Sequence, residues 1–551
     1  MNQSSAATAA PSTGARNGAL VVLAATQFLM VLDQAVMNVS ISQLCIDFDT
    51  TVTTIQGVIT MYSLVMAALM ITGGKVGDLI GRRRAFVIGL IIYGCGSGLT
   101  AVAWSVPSLL LGWSILEGIG AALVLPALAA LIAGNFEGPA RVRAYAVIGG
   151  VAGAGIAVGP ILGGWATTEL SWRVVFAGEV VVVVFVLVAM RWLTDAPREG
   201  RAPNLDIVGS VLSAAGLAIS VFAILQSSTW GWIEPKSSPV EPFGFALTPF
   251  VLAAGLVIVW AFVRWQRHRT DRGQDPLVDL SLFHVPPLRA GLMTFTAQNL
   301  ILMGMFFVMP LYLQLVQGLD ALETGLKLLP VSVMMLVASA IGPRVAERLG
   351  VRTVVRVGIA LLLAAAVLLL WTIKPVLEGA SFFVAMGVMG TGLGLIASQL
   401  GNVIQSSVGA SARSEAGGLQ YTAQQLGSAL GVALIGAIVI TGLSMNFARN
   451  VAGNDALADD VKGAVSVRID EGLSFVASGD VEQAAHDAGL PDDQADALVS
   501  DYEDAQLRAL KVGVLATAGI ALASFLVTTR LPTKVGEDGP VADVPAGAAP
   551  T

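Results

Sequence analysis

Apolar residues run along this chain in blocks of about twenty, separated by short polar interruptions. The blocks lack the alternation of barrel strands, and a helix of ~20 apolar residues is long enough to cross a bilayer. Fourteen blocks are read, at 19–41, 54–73, 85–104, 107–133, 144–166, 173–193, 206–227, 245–264, 289–313, 323–343, 353–373, 379–405, 418–444 and 510–529. An even number of crossings puts both termini on one side. Lysine and arginine favour cytoplasmic loops, and a cytoplasmic N-terminus places most of the 31 cations inside. The short outer loops then hold only Arg173, Lys236 and Lys374. The chain is thus expected in the plasma (inner) membrane with N- and C-termini cytoplasmic.

Composition agrees. The 551 residues are 55% hydrophobic and 13% charged, about half the charge of a soluble domain, ~25%. The net charge of −7 comes largely from 445–508, which holds fourteen Asp and Glu. That segment is expected outside as a solvated hairpin between the last two spans, the alternatives being that it caps the outer mouth or packs on itself. Two cysteines, Cys45 and Cys95, make no disulfide framework. Residues 1–18 lack a basic leader region, so the first block is expected to be retained. The tails 1–18 and 531–551 are expected to be disordered.

A repeat organises the blocks. GGKVGDLIGRRRAF (73–86) follows the second, and GPRVAERLGVRTVV (342–355) follows the tenth. Lys75, Asp78 and Gly81 align with Arg344, Glu347 and Gly350. The loops recur after eight spans rather than six. The expected architecture is therefore all-α. A six-helix bundle (19–193), two inserted helices (206–264) and a second six-helix bundle (289–530) are related by pseudo-twofold symmetry.

The loop GGKVGDLIGRRRAF resembles the signature loop of the major facilitator superfamily. LDQAVMNVS resembles the first-span motif of its fourteen-helix drug:proton antiporter branch. GIAVGPILGGW (155–165) resembles that branch's fifth-span antiporter motif, and SWRVVF (171–176) the start of its sixth span. The resemblance covers roughly 19–530. It implies a cytoplasmic latch in which Asp78 meets Arg82 and Arg83, with Gly74, Lys75, Gly77 and Gly81 shaping the loop. It also implies that Gly155, Gly159, Pro160, Gly163 and Gly164 form a smooth face against the second half.

The chemistry lies in polar residues within apolar blocks. Asp33, near the middle of FLMVLDQAVMNVSI, costs at least ~2.5 kcal/mol in hydrocarbon if ionised. Such acids face a bundle interior and relay protons or compensate a cationic substrate. Glu117 is a second, and both are read as proton-coupling residues. Here the chain departs from the branch: Ser114 stands where an Arg is usual, Glu117 where Gln is usual, Ala35 for Thr and Glu179 for Asn. Glu179 is expected at a wet rim, with Lys327 snorkelling outward or pairing across the cavity with an acid such as Glu117 or Glu179. Asn38, Gln298, Asn299 and Gln399 are candidate cavity-lining amides.

No Walker loop is present, so nucleotide is not expected. The histidines, His268, His284 and His486, have no metal-ligand spacing. Neither a cofactor, a metal nor a nucleic-acid partner is expected, and no enzyme motif appears. The expected function is proton-driven export of small amphipathic molecules, cationic ones among them, by a monomer in the lipid bilayer. Alternatives are a dedicated exporter of one metabolite, antibiotic or lipid, and a transporter-derived membrane sensor.

Overall fold

A computed structural model describes residues 13–136, 138–193, 205–377, 379–408, 413–472 and 475–533. Most of both tails lies outside these residues. Among the described residues there are helices and connections but no strand.

The spans in chain order are α1 (Asn17–Val39), α2 (Val52–Gly77), α3 (Arg82–Ala101), α4 (Val106–Ile132), α5 (Gly138–Glu169), α6 (Trp172–Trp192), α7 (Ile207–Ser227), α8 (Thr248–Asp271), α9 (Pro286–Val316), α10 (Ala321–Leu349), α11 (Val351–Thr372), α12 (Gly379–Ser406) and α13 (Glu415–Gly453). Two short helices follow, α14 (Asp459–Gly472) and α15 (Ser478–Asp487). The last span is α16 (Asp492–Arg530). Thirteen of these are long and apolar enough to cross a membrane. The fourteenth, α5, has 32 residues, or ~48 Å at ~1.5 Å per residue. Large apolar side chains such as Val181, Val188, Trp371 and Leu526 stay exposed, as lipid-facing surface requires. This is a multi-pass membrane protein.

The repeat has a backbone signature. The helix containing α2 runs unbroken to Ile80, and one residue, Gly81, connects it to α3. In the second half, Gly350 alone connects α10 to α11. Both take positive φ, 101° and 82°, with extended ψ of 135° and 150°. That region is essentially open only to glycine.

The two halves meet along α5 and α10. Gly164 and Gly325 are the close points. A methyl on Gly164 would collide with the Ala321 carbonyl, and one on Gly325 with the Pro160 carbonyl. Leu322 N–H donates to Thr168 Oγ1 (3.2 Å), and Gln314 Nε2 to the Val39 carbonyl (2.7 Å). Gln56 Nε2 reaches the carbonyls of Val432 (2.9 Å) and Ala433 (3.2 Å). These contacts gather towards the end where α1 and α5 finish and α2 and α10 begin.

One expectation is corrected here. Gly155, Gly159 and Gly163 face α1 in their own half, where added methyls would strike Val31, Ala35 and Val36. The face turned to the second half carries Pro160 and Gly164. A stripe repeating every fourth residue covers only one side of a helix, and α5 packs close on two.

The inserted pair lies on the seam. Leu225 and Val221 of α7 pack with Leu64 of α2 and with Ala429 and Ala433 of α13, and Ser210 Oγ accepts from Thr72 Oγ1 (3.0 Å). Asp206 caps α7 through Gly209 N–H (2.9 Å). It also accepts from Trp265 Nε1 (2.9 Å) and Gln266 Nε2 (2.8 Å) of α8. Burial alone would raise this carboxyl's pKa. The hydrogen bonds from Gly209, Trp265 and Gln266 and the Arg269 charge outweigh it and hold the pKa below the usual value.

Beyond the bilayer, α13 and α16 run on as a stalk. Phe447 meets Tyr502 edge to face at 5.3 Å. Asn450 and Asn454 donate to the Asp501 carbonyl (2.9 Å) and carboxylate (2.8 Å). Phe475 is buried, and Gln506 Nε2 donates to the Val476 carbonyl (2.6 Å). The acidic segment thus packs on itself and on its stalk.

Candidate functional site

A buried acid needs partners, and Asp33 finds them on neighbouring helices of the first half. Trp113 Nε1 on α4 donates to Asp33 Oδ1 at 2.6 Å. Trp113 in turn stacks on Tyr62 of α2, with ring centroids 4.5 Å apart and planes 9° apart. Both rings are 1% exposed, so the indole that holds the acid is clamped.

Local backbone brings the second acid in. Residues Leu110–Glu117 of α4 form a π-helical stretch, a feature found mostly at functional sites. Its wider turn ends at Glu117. Gly96 and Gly112 let α3 and α4 cross closely: a methyl on Gly96 would overlap Glu117, and one on Gly112 would overlap Thr100. Thr100 Oγ1 then lies 3.2 Å from Glu117 Oε1. Ser114, where the branch usually has Arg, is buried and donates to the Val58 carbonyl at 2.8 Å.

The third member is Glu179 of α6. Tyr93 Oη (3.2 Å) and Ser97 Oγ (3.0 Å) both donate to its Oε2. It is 1% exposed. This corrects both expectations for Glu179, the wet rim and the pairing with Lys327. The Lys327 ammonium instead lies over the Phe383 ring, 5.2 Å from its centroid, where a cation–π contact and a half-exposed position suit it. Burial follows from helix phase: Glu179 and Val183, four residues apart, share the inward face of α6 with Phe176 and Val186.

One carboxylate oxygen from each of Asp33, Glu117 and Glu179 lies within 4.8 Å of the other two. No lysine or arginine among the described residues makes a salt bridge to them. Two unit charges ~4 Å apart repel by ~4 kcal/mol even at an effective dielectric of ~20. Three bare carboxylates here are therefore untenable without protons or a cation. Asp33 Oδ2, Glu117 Oε2, Glu179 Oε1 and Tyr62 Oη are all buried without a hydrogen-bond partner.

The other sequence candidates fall elsewhere. Asn38 is buried but back-bonds to the Gln34 carbonyl (2.7 Å), with Oδ1 unpartnered. Gln298 donates to the Leu393 carbonyl (3.1 Å) and so fastens α9 to α12. Asn299 back-bonds to Phe295 (2.9 Å), and Gln399 bonds Ser398 (2.8 Å). None of these touches the acid cluster. In the latch loop, Lys75 Nζ donates to the Pro276 carbonyl (2.8 Å) and Arg83 to the Met190 carbonyl (3.1 Å). The side chain of Asp78 lies outside the described residues. Gly73 packs so closely on α4 that an added methyl would collide with the Ala122 carbonyl, and Gly77 faces Ala85.

Sequence reasoning found Asp33 and Glu117 as separate acids and missed their ring of Tyr62, Tyr93, Ser97, Thr100 and Trp113. One signal was available: aromatic side chains with polar tips inside apolar spans need partners, and three of them lie in α2–α4.

The model of the Major Facilitator Superfamily matches residues 23–432. The puromycin resistance protein pur8 of Streptomyces alboniger is 32% identical over 423 residues, covering 76% of this chain and 81% of that one. The multidrug efflux pump LfrA of Mycolicibacterium smegmatis is 29% identical, covering 86% and 91%. A tetracenomycin C resistance and export protein of Streptomyces glaucescens is 29% identical, covering 78% and 77%. Among solved structures, a bacterial homologue of the human lysosomal transporter Spinster, inward-facing and unoccupied, matches with a TM-score of 0.60. It is 14% identical and covers 94% of this chain and 98% of that chain.

Proposed function

The chain belongs to the major facilitator superfamily, and from that premise we propose that it exports small amphipathic, cationic compounds in exchange for protons by alternating access. Residues 19–193 and 289–530 are the two moving halves, and 206–264 are an inserted pair riding on their seam. The observation that carries the reading is the buried acid cluster with no basic partner among the described residues. In such a site protons and cationic substrate are alternative ways to neutralise the same charge, and that competition is what exchange requires. The relatives, a puromycin resistance protein, a tetracenomycin C exporter and a multidrug efflux pump, support the substrate class.

The bias of lysine and arginine to one set of loops supports cytoplasmic termini. The end where α5 and α10 meet is then the outer one, and their contact around Gly164 is the outer gate. Trp113 is the positioning residue: its indole fixes Asp33 while that group is charged.

The test is dye efflux in energised inverted vesicles, with a panel of cationic and neutral compounds. Native protein moves the cations only with a proton gradient, and Asp33→Asn or Glu117→Gln abolishes it. Equal exchange by native protein and both variants contradicts the reading.

A further inference from the structure

The acid cluster is closed as well as charged. Its three carboxyl groups come from α1, α4 and α6 and are at most 1% exposed. Trp113 Nε1 can only donate, so Asp33 Oδ1 is an acceptor, and Tyr93 and Ser97 hydroxyls point at Glu179. These donors are set for carboxylates that carry charge. A second observation comes from outside the acids. Tyr62 Oη is buried without a hydrogen bond, and the Tyr62 ring stacks on Trp113, whose indole holds Asp33. Four buried oxygens thus lack a hydrogen-bond partner at the cluster and its clamp, one from each acid and one from Tyr62. A proton shared between two of them serves two, whereas a metal cation serves all four.

We propose that Asp33, Glu117, Glu179 and Tyr62 form a binding site for a small, hard inorganic cation of the size of sodium or calcium. The donors are all oxygen, the set that hard cations choose. Oxygens on opposite sides of a calcium ion stand ~4.6–5.2 Å apart, twice a bond of ~2.3–2.6 Å, and the three carboxylates lie within 4.8 Å. The inference deepens the reading above because it uses the same acids, and it assigns Glu179 a ligand's part.

The test is equilibrium dialysis of the purified full chain in detergent with radiolabelled sodium or calcium, choline chloride holding the ionic strength. Tryptophan fluorescence is followed alongside, since Trp113 touches Asp33. Saturable binding of either ion supports the site, and the arm that binds names the ion. Glu179→Gln should weaken binding by at least ~10-fold, the lower end of what lost support costs at metal sites, and Tyr62→Phe should weaken it less. Size-exclusion profiles show that the variants are folded. Binding of neither ion above the Asp33→Asn/Glu117→Gln/Glu179→Gln triple variant overturns the proposal. So does binding unchanged in both Glu179→Gln and Tyr62→Phe. Ion binding is read without transport, so its failure leaves proton-driven efflux standing, and failure of efflux leaves the ion site standing.

Discussion

Asp33 is held by one hydrogen bond of unusual directness, an indole N–H at 2.6 Å, and that bond is built by stacking. Replacing Trp113 with Phe keeps an aromatic ring against Tyr62 and removes the donor together with the indole's second ring. A hydrogen bond to a charged group contributes ~1.5–3 kcal/mol. We expect Trp113→Phe to keep the fold, with a normal size-exclusion profile, while its drug-driven proton exchange in proteoliposomes falls sharply. Exchange at the native rate would remove Trp113 from the mechanism. Glu179 teaches a related point about legibility. Its acid character was plain in the sequence, but its surroundings were not. Which face of α6 points inward depends on the packing of α3 and α6, and that packing is a long-range fact.

The single-glycine connections show where sequence and structure agree element by element. Gly81 and Gly350 were aligned by the repeat, and both adopt a backbone closed to other residues. Gly81→Ala and Gly350→Ala are each expected to cost ~1–3 kcal/mol, read as a lowered thermal midpoint of the purified protein. The glycine stripe of α5 was legible as a close-packing face, but not which helix it meets, since two faces of α5 carry small residues. At the α5–α10 contact we expect Thr168→Cys paired with Leu322→Cys to cross-link on oxidation and to halt transport until reduced. At the start of α7, the depressed Asp206 carboxyl gives a pH signature. Its stabilising effect is fully present above the unfolded pKa, ~3.9, and is lost as pH falls through the lower folded value. Asp206→Asn should therefore flatten the acid limb of thermal stability plotted against pH, leaving the neutral range lowered.

For the molecule as a whole, the span positions, the all-helical class and the inserted pair were readable because a bilayer sets the length and polarity of what crosses it. The site was half readable: two acids stood out against hydrocarbon, but their convergence with a third from α6 depends on how α1, α3, α4 and α6 pack. The latch contact between Asp78 and the arginines falls outside the described residues, as the Asp78 side chain does; within that loop Lys75 reaches the segment after α8 through Pro276. That segment is tied to the second half by Asp279 N–H donating to Glu415 Oε1 (2.5 Å). The inserted pair and its linker therefore bridge both halves. The central claim is that the buried acids couple proton entry to export, and efflux of a cationic dye from energised inverted vesicles tests it most directly. The account predicts transport by native protein that collapses with the proton gradient and is absent in Asp33→Asn. Gradient-driven transport by Asp33→Asn at the native rate would contradict it.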